Sequence, residues 1–187
     1  MSQKDILRMA EATTKADGKF MLVDTFGMYG CAMIDLGPKH QFRQEKGKDK
    51  LSDLKAIQPY VPFSQMMAAG NQLHQITDRW HKNGPPKVLV MYFAILHYRN
   101  IIITNHQDQQ NSQHFSKITQ QYLKHSGLDT QYLGDEKQLD YLYTISNAQV
   151  SPVCAVLGGV LGNEVIKAIS GKGQPANNVL LFDGMDG

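Results

Sequence analysis

The stretch Ser151–Gly187 reads SPVCAVLGGVLGNEVIKAISGKGQPANNVLLFDGMDG, and its pattern decides the fold class. We predict that Ser151 caps a long helix and that Pro152 takes its first position, the places that serine and proline prefer. The helix should run to about Ile169 and end at Gly171, since glycine is common just beyond a helix. A long apolar helix followed closely by an apolar strand is typical of α/β proteins.

The sequence before this stretch predicts a few strands and several helices. The nearly continuous apolar run in 19–25 suggests a strand buried on both faces, as in a parallel sheet. The remaining predictions are a helix at 3–16, strands at 31–36, 41–45, within 54–61 and at 178–182, and helices within 64–81, 88–99, 112–125 and 135–146. A strand stays a live alternative for 88–93, and in that alternative 101–104 could extend it as a strand. The order indicates an α/β fold with too few strands for a complete doubly wound sheet.

Three glycines, Gly158, Gly159 and Gly162, interrupt the long helix. Glycine in a helix interior costs roughly 1 kcal/mol relative to alanine, so three of them need a reason. Close approach of another backbone is the best reason, and it leaves two alternatives: a contact with another subunit, or ordinary packing of the helix on a sheet. We expect Cys154 on the same helix to be a buried core residue, because no basic neighbour is present to activate its thiol.

Composition argues against several classes of function. The net charge is +2, and acidic residues interrupt the densest basic run, 46–55, so we interpret that run as a solvated loop and not as a nucleic-acid surface. Two cysteines, Cys31 and Cys154, cannot form a disulfide framework. No apolar run reaches the ~18 residues of a membrane span. The seven histidines follow no metal-ligand motif, and the sequence contains no phosphate loop or nucleophile motif.

Two stretches resemble one enzyme family. The glycine-bearing helix, the pattern Glu164-x-x-Lys167 and the strand ending in Phe182-Asp183-Gly184 are similar to the end of the adenylating domain shared by MoeB/ThiF-like enzymes and ubiquitin-like-protein activating enzymes. Upstream, KFMLVDTFGMYGCAMIDLG at 19–37 resembles the strand–turn–strand of that family. Within the family, 152–156 and Asn177-Asn178 look most like the non-catalytic, Aos-type subunits of heterodimeric SUMO-activating enzymes. The resemblance is loose between 54 and 146.

This resemblance implies the C-terminal half of a Rossmann-like ThiF/MoeB adenylation fold, with an incomplete sheet and a helical insertion. It divides the chain into 1–46, the strands and helix of the second half; 47–150, a mainly helical insertion; and 151–187, the closing helix and strand. In the family, the residues that bind ATP and magnesium precede the segment seen here. We therefore assign no catalytic, cofactor-binding or metal residue to this chain, and expect the full complex to bind ATP and Mg²⁺.

The implied function is that of a non-catalytic subunit that supports ATP-dependent adenylation and thioester formation of SUMO by a catalytic partner subunit, the chain alone being inactive. One alternative is a truncated regulatory module that competes for the catalytic subunit. Another is the equivalent subunit for NEDD8, ubiquitin or a sulfur carrier. The expected partners are the catalytic subunit and, through the complex, SUMO, without nucleic acid or membrane. The expected location is the nucleus and cytoplasm.

Overall fold

The structure is a computed structural model, and it describes residues 3–47, 50–76, 84–105 and 111–186. The strands are β1 (Phe20–Phe26), β2 (Tyr29–Asp35), β3 (Gln41–Phe42), β4 (Lys55–Ala56) and β5 (Val179–Asp183). The helices are α1 (Gln3–Lys15), α2 (Phe63–Ala69), α3 (Lys87–Asn105), α4 (Ser112–His125), α5 (Glu136–Ile145) and α6 (Ser151–Ser170), with a 3₁₀ turn at Leu73–Gln75. The structure is thus mixed α/β.

The central sheet has three strands in the order β1-β2-β5, and both pairings are antiparallel. Val23 lies opposite Ala32, and Cys31 lies opposite Leu181. The prediction of a parallel sheet from 19–25 was therefore wrong. An apolar run reports contact on both faces of a strand but not the direction of its neighbours. The strand whose two faces are both buried is β2, while β1 lies at the edge of the sheet.

Alternate side chains of β2 enter two different cores. Cys31 and Met33 belong to the large core that α1 and α3 also build, whereas Ile34 packs in a small cluster with Ala168 of α6. Because successive side chains of a strand point to opposite faces, α6 covers one face of the sheet and the other helices cover the opposite face. The helices of 47–150 share the large core with α1 and β2, and the predicted domain boundaries remain predictions.

The apolar segment 88–104 is helical throughout. α3 includes 101–104, so the strand alternatives for this part of the chain were wrong. Its apolar run is long because half of the helix is buried within the protein, with Val90, Ala94 and Ile95 at 1% exposure or less. Helix α4 has the predicted bounds, and α5 begins after the N-cap Asp135. Of the helix predicted within 64–81, the structure has α2 at its start, and 77–81 lie outside the described residues.

Helix α6 confirms the predicted long helix with one correction. Its N-cap is Val150, without a side-chain hydrogen bond, so Ser151 is the first helical residue and Pro152 the second. The predicted serine cap and the predicted first position of Pro152 were therefore each wrong by one residue. The backbone explains this, because Cys154 N donates to Val150 O and starts the ladder one residue earlier. At the other end Gly171 has φ 64°, the left-handed conformation that glycine adopts without strain, as predicted.

Two helices are long and apolar enough to cross a membrane by length and composition alone. They are Lys87–Thr104, half buried within the protein, and Ser151–Ser170, of which 22% is buried. The sequence analysis missed both because it counted uninterrupted apolar residues, and these helices carry a few polar ones. Core helices of soluble proteins pass the same test, which describes α3 well, whereas the low burial of α6 needs its own explanation.

Candidate subunit interface

Helix α6 is apolar around nearly its whole circumference, yet it is covered along only one stripe. Val153, Leu157, Glu164 and Ala168 are buried, and their spacings of four, seven and four residues place them along one side of the helix. Large side chains outside this stripe are uncovered, with Ile166 65% and Ile169 80% exposed. A helix that is apolar all round normally lies inside a larger structure. The uncovered part of α6 is therefore a candidate contact surface.

The candidate contact residues Gly158, Gly159 and Gly162 all lie on this uncovered part. A methyl group built on any of them has no atom within 4 Å. Packing of these glycines on the sheet, one of the two alternatives, is thus absent from the described part of the chain. By contrast, a methyl group on Gly30 of β2 would come within 2.2 Å of Leu157, where α6 does touch the sheet. The contact that would explain the helix glycines remains a prediction.

Cys154 is exposed, so the expectation that it is a core residue was wrong. The spacing that buries Val153 and Leu157 turns Cys154 away from the sheet-facing stripe. Its Sγ lies 3.7 Å from Thr25 Oγ1 of the edge strand β1. Cys154, Gly158 and Gly162 are four residues apart and share one side of the helix. The contact with Thr25 shows that this side lies towards β1.

The outer edge of β1 has no partner strand among the described residues. Its central residue Val23 is 45% exposed. Apart from Asp24 and Thr25, the residues of β1 are apolar or aromatic. An unpaired strand edge presents free N–H and C=O groups and normally receives a cover or a protecting charge. The only charged side chain of β1 is Asp24, and it is already paired with Arg99.

A groove of about 490 Å³ lies beside the same edge. β1 contributes Leu22, Val23 and Asp24 to it, and α3 contributes mainly apolar side chains together with Arg99. Its remaining walls are Ile6 of α1 and the residues Ser146 and Asn147 between α5 and α6. We call the combined surface the open face: the outer edge of β1, the α6 side with Cys154, Gly158 and Gly162, and this groove.

The motif residues that carry the family resemblance hold the backbone in place. Glu164, 5% exposed, accepts hydrogen bonds from Lys167 Nζ at 2.7 Å and from Ala176 N at 2.6 Å, which ties the loop after α6 back onto the helix. The side chains of Asn177 and Asn178 donate to the carbonyls of Pro59 and Val61. These contacts fix β5 and its approach, so the motif is structural in this chain.

Other side chains that could react or bind a metal lie apart from the open face or are made unreactive by burial. Burial raises the pKa of the Cys31 thiol to about 12, which keeps it protonated and unreactive. Within the described residues no group of three or more His, Cys, Asp or Glu side chains is arranged to hold a metal ion. The sequence analysis missed Asp24 and Arg99. A lone charge in an apolar strand and another in an apolar helix were the available signal, because such charges need a partner.

No family model matches the sequence. SUMO-activating enzyme subunit 1 of Danio rerio is 37% identical over 206 aligned residues, which cover 97% of this chain. The Xenopus tropicalis protein of the same name is 27% identical over 96% of the chain. The chain is a homologue of SUMO-activating enzyme subunit 1.

The similarity to subunit 1 is uneven along the chain. SUMO-activating enzyme subunit 1B-1 of Arabidopsis thaliana is 55% identical, but only over 42 residues, or 22% of this chain. The Danio rerio and Xenopus tropicalis subunit 1 proteins align with nearly all of it, and the chain spans 57% of the length of each of these two relatives. A substantial part of each of these relatives therefore has no counterpart in the 187 residues described by the sequence.

Proposed function

We propose that this chain is part of the non-catalytic subunit of a heterodimeric SUMO-activating enzyme. In this proposal the open face is covered by the portion of the subunit that its longer relatives have and this chain does not match. The catalytic partner subunit then docks on the completed subunit. The observation that carries the proposal is the open face itself, in a chain that is homologous to subunit 1 and spans 57% of those relatives.

The three parts of the open face are consistent with an incomplete adenylation fold of the ThiF/MoeB type. Further strands added at β1 would satisfy its free backbone groups, and they would extend the sheet beneath the glycine side of α6. Glycines at that place allow another backbone to come close. One continuation of the sheet therefore accounts for the unpaired edge of β1, the exposed side of α6 and the groove together. We propose that this continuation is the other half of the fold.

In the same proposal the complete enzyme binds ATP and Mg²⁺, adenylates SUMO and forms the thioester on its catalytic subunit. In this proposal the chain contributes structure, and the residues that bind ATP and Mg²⁺ lie in the part of the subunit that the chain does not match. We further propose a location in the nucleus and cytoplasm, without binding to nucleic acid or membrane. The names of the relatives favour SUMO over NEDD8, ubiquitin or a sulfur carrier as the modifier.

Reconstitution tests this function. The chain is fused to the portion of the Danio rerio subunit 1 that it does not match, and the fusion is mixed with the Danio rerio catalytic subunit. ATP–pyrophosphate exchange is then measured with and without SUMO. We expect exchange only with the fusion, the catalytic subunit and SUMO together, and none with the chain alone. A fusion that folds and neither binds the catalytic subunit nor supports exchange would overturn the proposal.

A second candidate function is a truncated module that competes for the catalytic subunit. Its supporting observation is that the chain spans only part of its longer relatives while keeping the closing helix and strand intact. Adding excess chain to an intact SUMO-activating enzyme should then lower the yield of SUMO conjugate. An unchanged yield at a hundredfold excess would rule this candidate out.

A further inference from the structure

Arg99 joins three separate elements at the open face. It lies on α3, where its Nη1 donates to Asp24 Oδ2 of β1 and its Nη2 donates to the carbonyl oxygen of Ser146. The same Nη2 lies 3.5 Å from Asn147 Oδ1. About a quarter of each side chain of the Arg99–Asp24 pair is exposed, and both line the groove. One guanidinium thus links α3, the edge strand and the connection from α5 to α6.

That connection determines where α6 begins relative to β1. Beyond Asn147, Gly27 N donates to Ala148 O at 2.9 Å, and α6 starts at Ser151. The first turn of α6 then brings Cys154 to Thr25. Arg99 holds one end of this short segment and the Gly27 bond holds the other. The planar fork of an arginine can donate to a carboxylate and a carbonyl at once, which the single ammonium of a lysine does poorly.

We propose that Arg99 is the positioning residue of the open face. It sets the placement of the start of α6 against the edge of β1, and through that placement it makes the surface fit the part of the enzyme that covers it. This inference rests on the proposed function for its second half only, since the placement is a property of the chain itself. Arg99 is not a catalytic residue in this proposal, because it touches no substrate.

A disulfide crosslink measures the placement directly. Thr25→Cys is introduced beside the native Cys154, with Cys31→Ala to remove the buried thiol, and disulfide formation is followed in a glutathione buffer. In this background we compare Arg99 with Arg99→Lys and Arg99→Met. Loss of one charge-assisted hydrogen bond should lower the equilibrium yield of the crosslink, expressed as an effective concentration, by about tenfold or more. Arg43→Met is the matched control, because Arg43 is exposed and its side chain donates to Ser52 O away from the open face.

Circular dichroism of each variant confirms that the helices are retained, and the crosslink is measured well below the melting temperature. A role in general stability would lower the melting temperature without changing the crosslink. Equal effective concentrations in folded Arg99→Lys, Arg99→Met and unsubstituted protein would overturn the proposal. Asp24→Asn, which removes the negative charge from the hydrogen bond that Arg99 donates to β1, should also lower the effective concentration.

The second arm places each substitution in the fusion of the chain with the unmatched portion of the Danio rerio subunit, and measures assembly of the fusion with the catalytic subunit. We expect Arg99→Lys to weaken assembly about tenfold or more and Arg43→Met to leave it unchanged. Equal assembly by Arg99→Lys and the unsubstituted chain would overturn the docking role of Arg99. If no chain assembles, including the unsubstituted one, the proposed function fails, and the crosslink alone decides whether Arg99 positions the face.

Discussion

Replacing Gly158 and Gly162 by alanine should stabilise the isolated chain. Each alanine removes the helix-interior cost of glycine, about 1 kcal/mol, and a methyl group at either site has no atom within 4 Å to collide with. The two sites are four residues apart and their methyl groups meet no shared neighbour, so their effects should add to about 2 kcal/mol. For a domain of this size that corresponds to an increase in melting temperature of about 4–8 °C.

The same substitutions should weaken assembly of the enzyme. If another backbone lies against α6 at these glycines, two methyl groups will hold it away, and the affinity of the chain for the covering part should fall although the chain is more stable. Thermal unfolding followed by circular dichroism gives the first quantity, and titration into the reconstituted enzyme gives the second. A rise in the stability of the isolated chain together with a fall in its affinity for the rest of the enzyme would indicate that the glycines serve a contact.

Two control variants make the result specific. Ala155→Gly, at an exposed position of the same helix, should destabilise the chain by about 1 kcal/mol. Gly171→Ala should also destabilise it, because Gly171 has φ 64°. If the double alanine variant were more stable and assembled as well as the original chain, the glycines would have no role in assembly. If it were less stable, α6 would be covered by something within the chain.

Three further predictions concern the parts that hold the fold together. Glu164→Ala should lower the free energy of unfolding in urea by about 1.5–3 kcal/mol, because it leaves the partly buried N–H of Ala176 and the ammonium of Lys167 without their carboxylate acceptor. Glu11→Ala, at an exposed position, should change it by no more than about 0.5 kcal/mol. Asp35→Asn should lower the free energy of unfolding by about 1.5–3 kcal/mol. The Asp35 carboxylate accepts hydrogen bonds from Gly37 N, Tyr60 Oη and Phe63 N, and a neutral amide cannot satisfy all three. Tyr60→Phe should lower it less, and equal effects of the two substitutions would contradict this reasoning. Burial, aided by His125, lowers the pKa of His97 below its ordinary 6.5, so the folded state favours neutral His97 and its contribution to stability is lost as the pH falls below 6.5. Urea unfolding between pH 5 and 7.5 should therefore show a slope that His97→Gln reduces, and an unchanged slope would refute the assignment.

The elements that sequence patterns predicted well are those whose signals are local. Helix α4 has the predicted bounds because its apolar spacing, its cap Asn111 and the closing Gly127 all lie within one short stretch. Gly171 was recognised as the end of α6 for the same reason. The long helix and the closing strand were predicted from the sequence, and the long helix contributes Cys154, Gly158 and Gly162 to the open face.

The features that sequence patterns mispredicted depend on distant neighbours. The pairing of β2 with β5 joins strands more than 140 residues apart, and no local pattern contains that information. The antiparallel pairing of β1 with β2 follows instead from their two-residue connection, and it was mispredicted because the direction was taken from the apolar run alone. Cys154 was expected to be buried because its helix is apolar, yet burial follows from what covers the helix and not from its composition. The Arg99–Asp24 pair joins residues 75 positions apart, so only the rule that charges in apolar elements need partners pointed to it.

The nature of the cover on the open face can be argued from its backbone. Considered by itself, helix α6 has the length and composition of a membrane span, and lipid would be a suitable environment for its exposed apolar side chains. The open face, however, also includes the outer edge of β1, and hydrocarbon leaves the free N–H and C=O groups of a strand edge unsatisfied at a cost of several kcal/mol each. A protein cover that adds a strand to β1 and packs on Gly158 and Gly162 satisfies the backbone and the apolar surface together. The edge strand thus favours protein over lipid as the partner of a helix whose composition suits both.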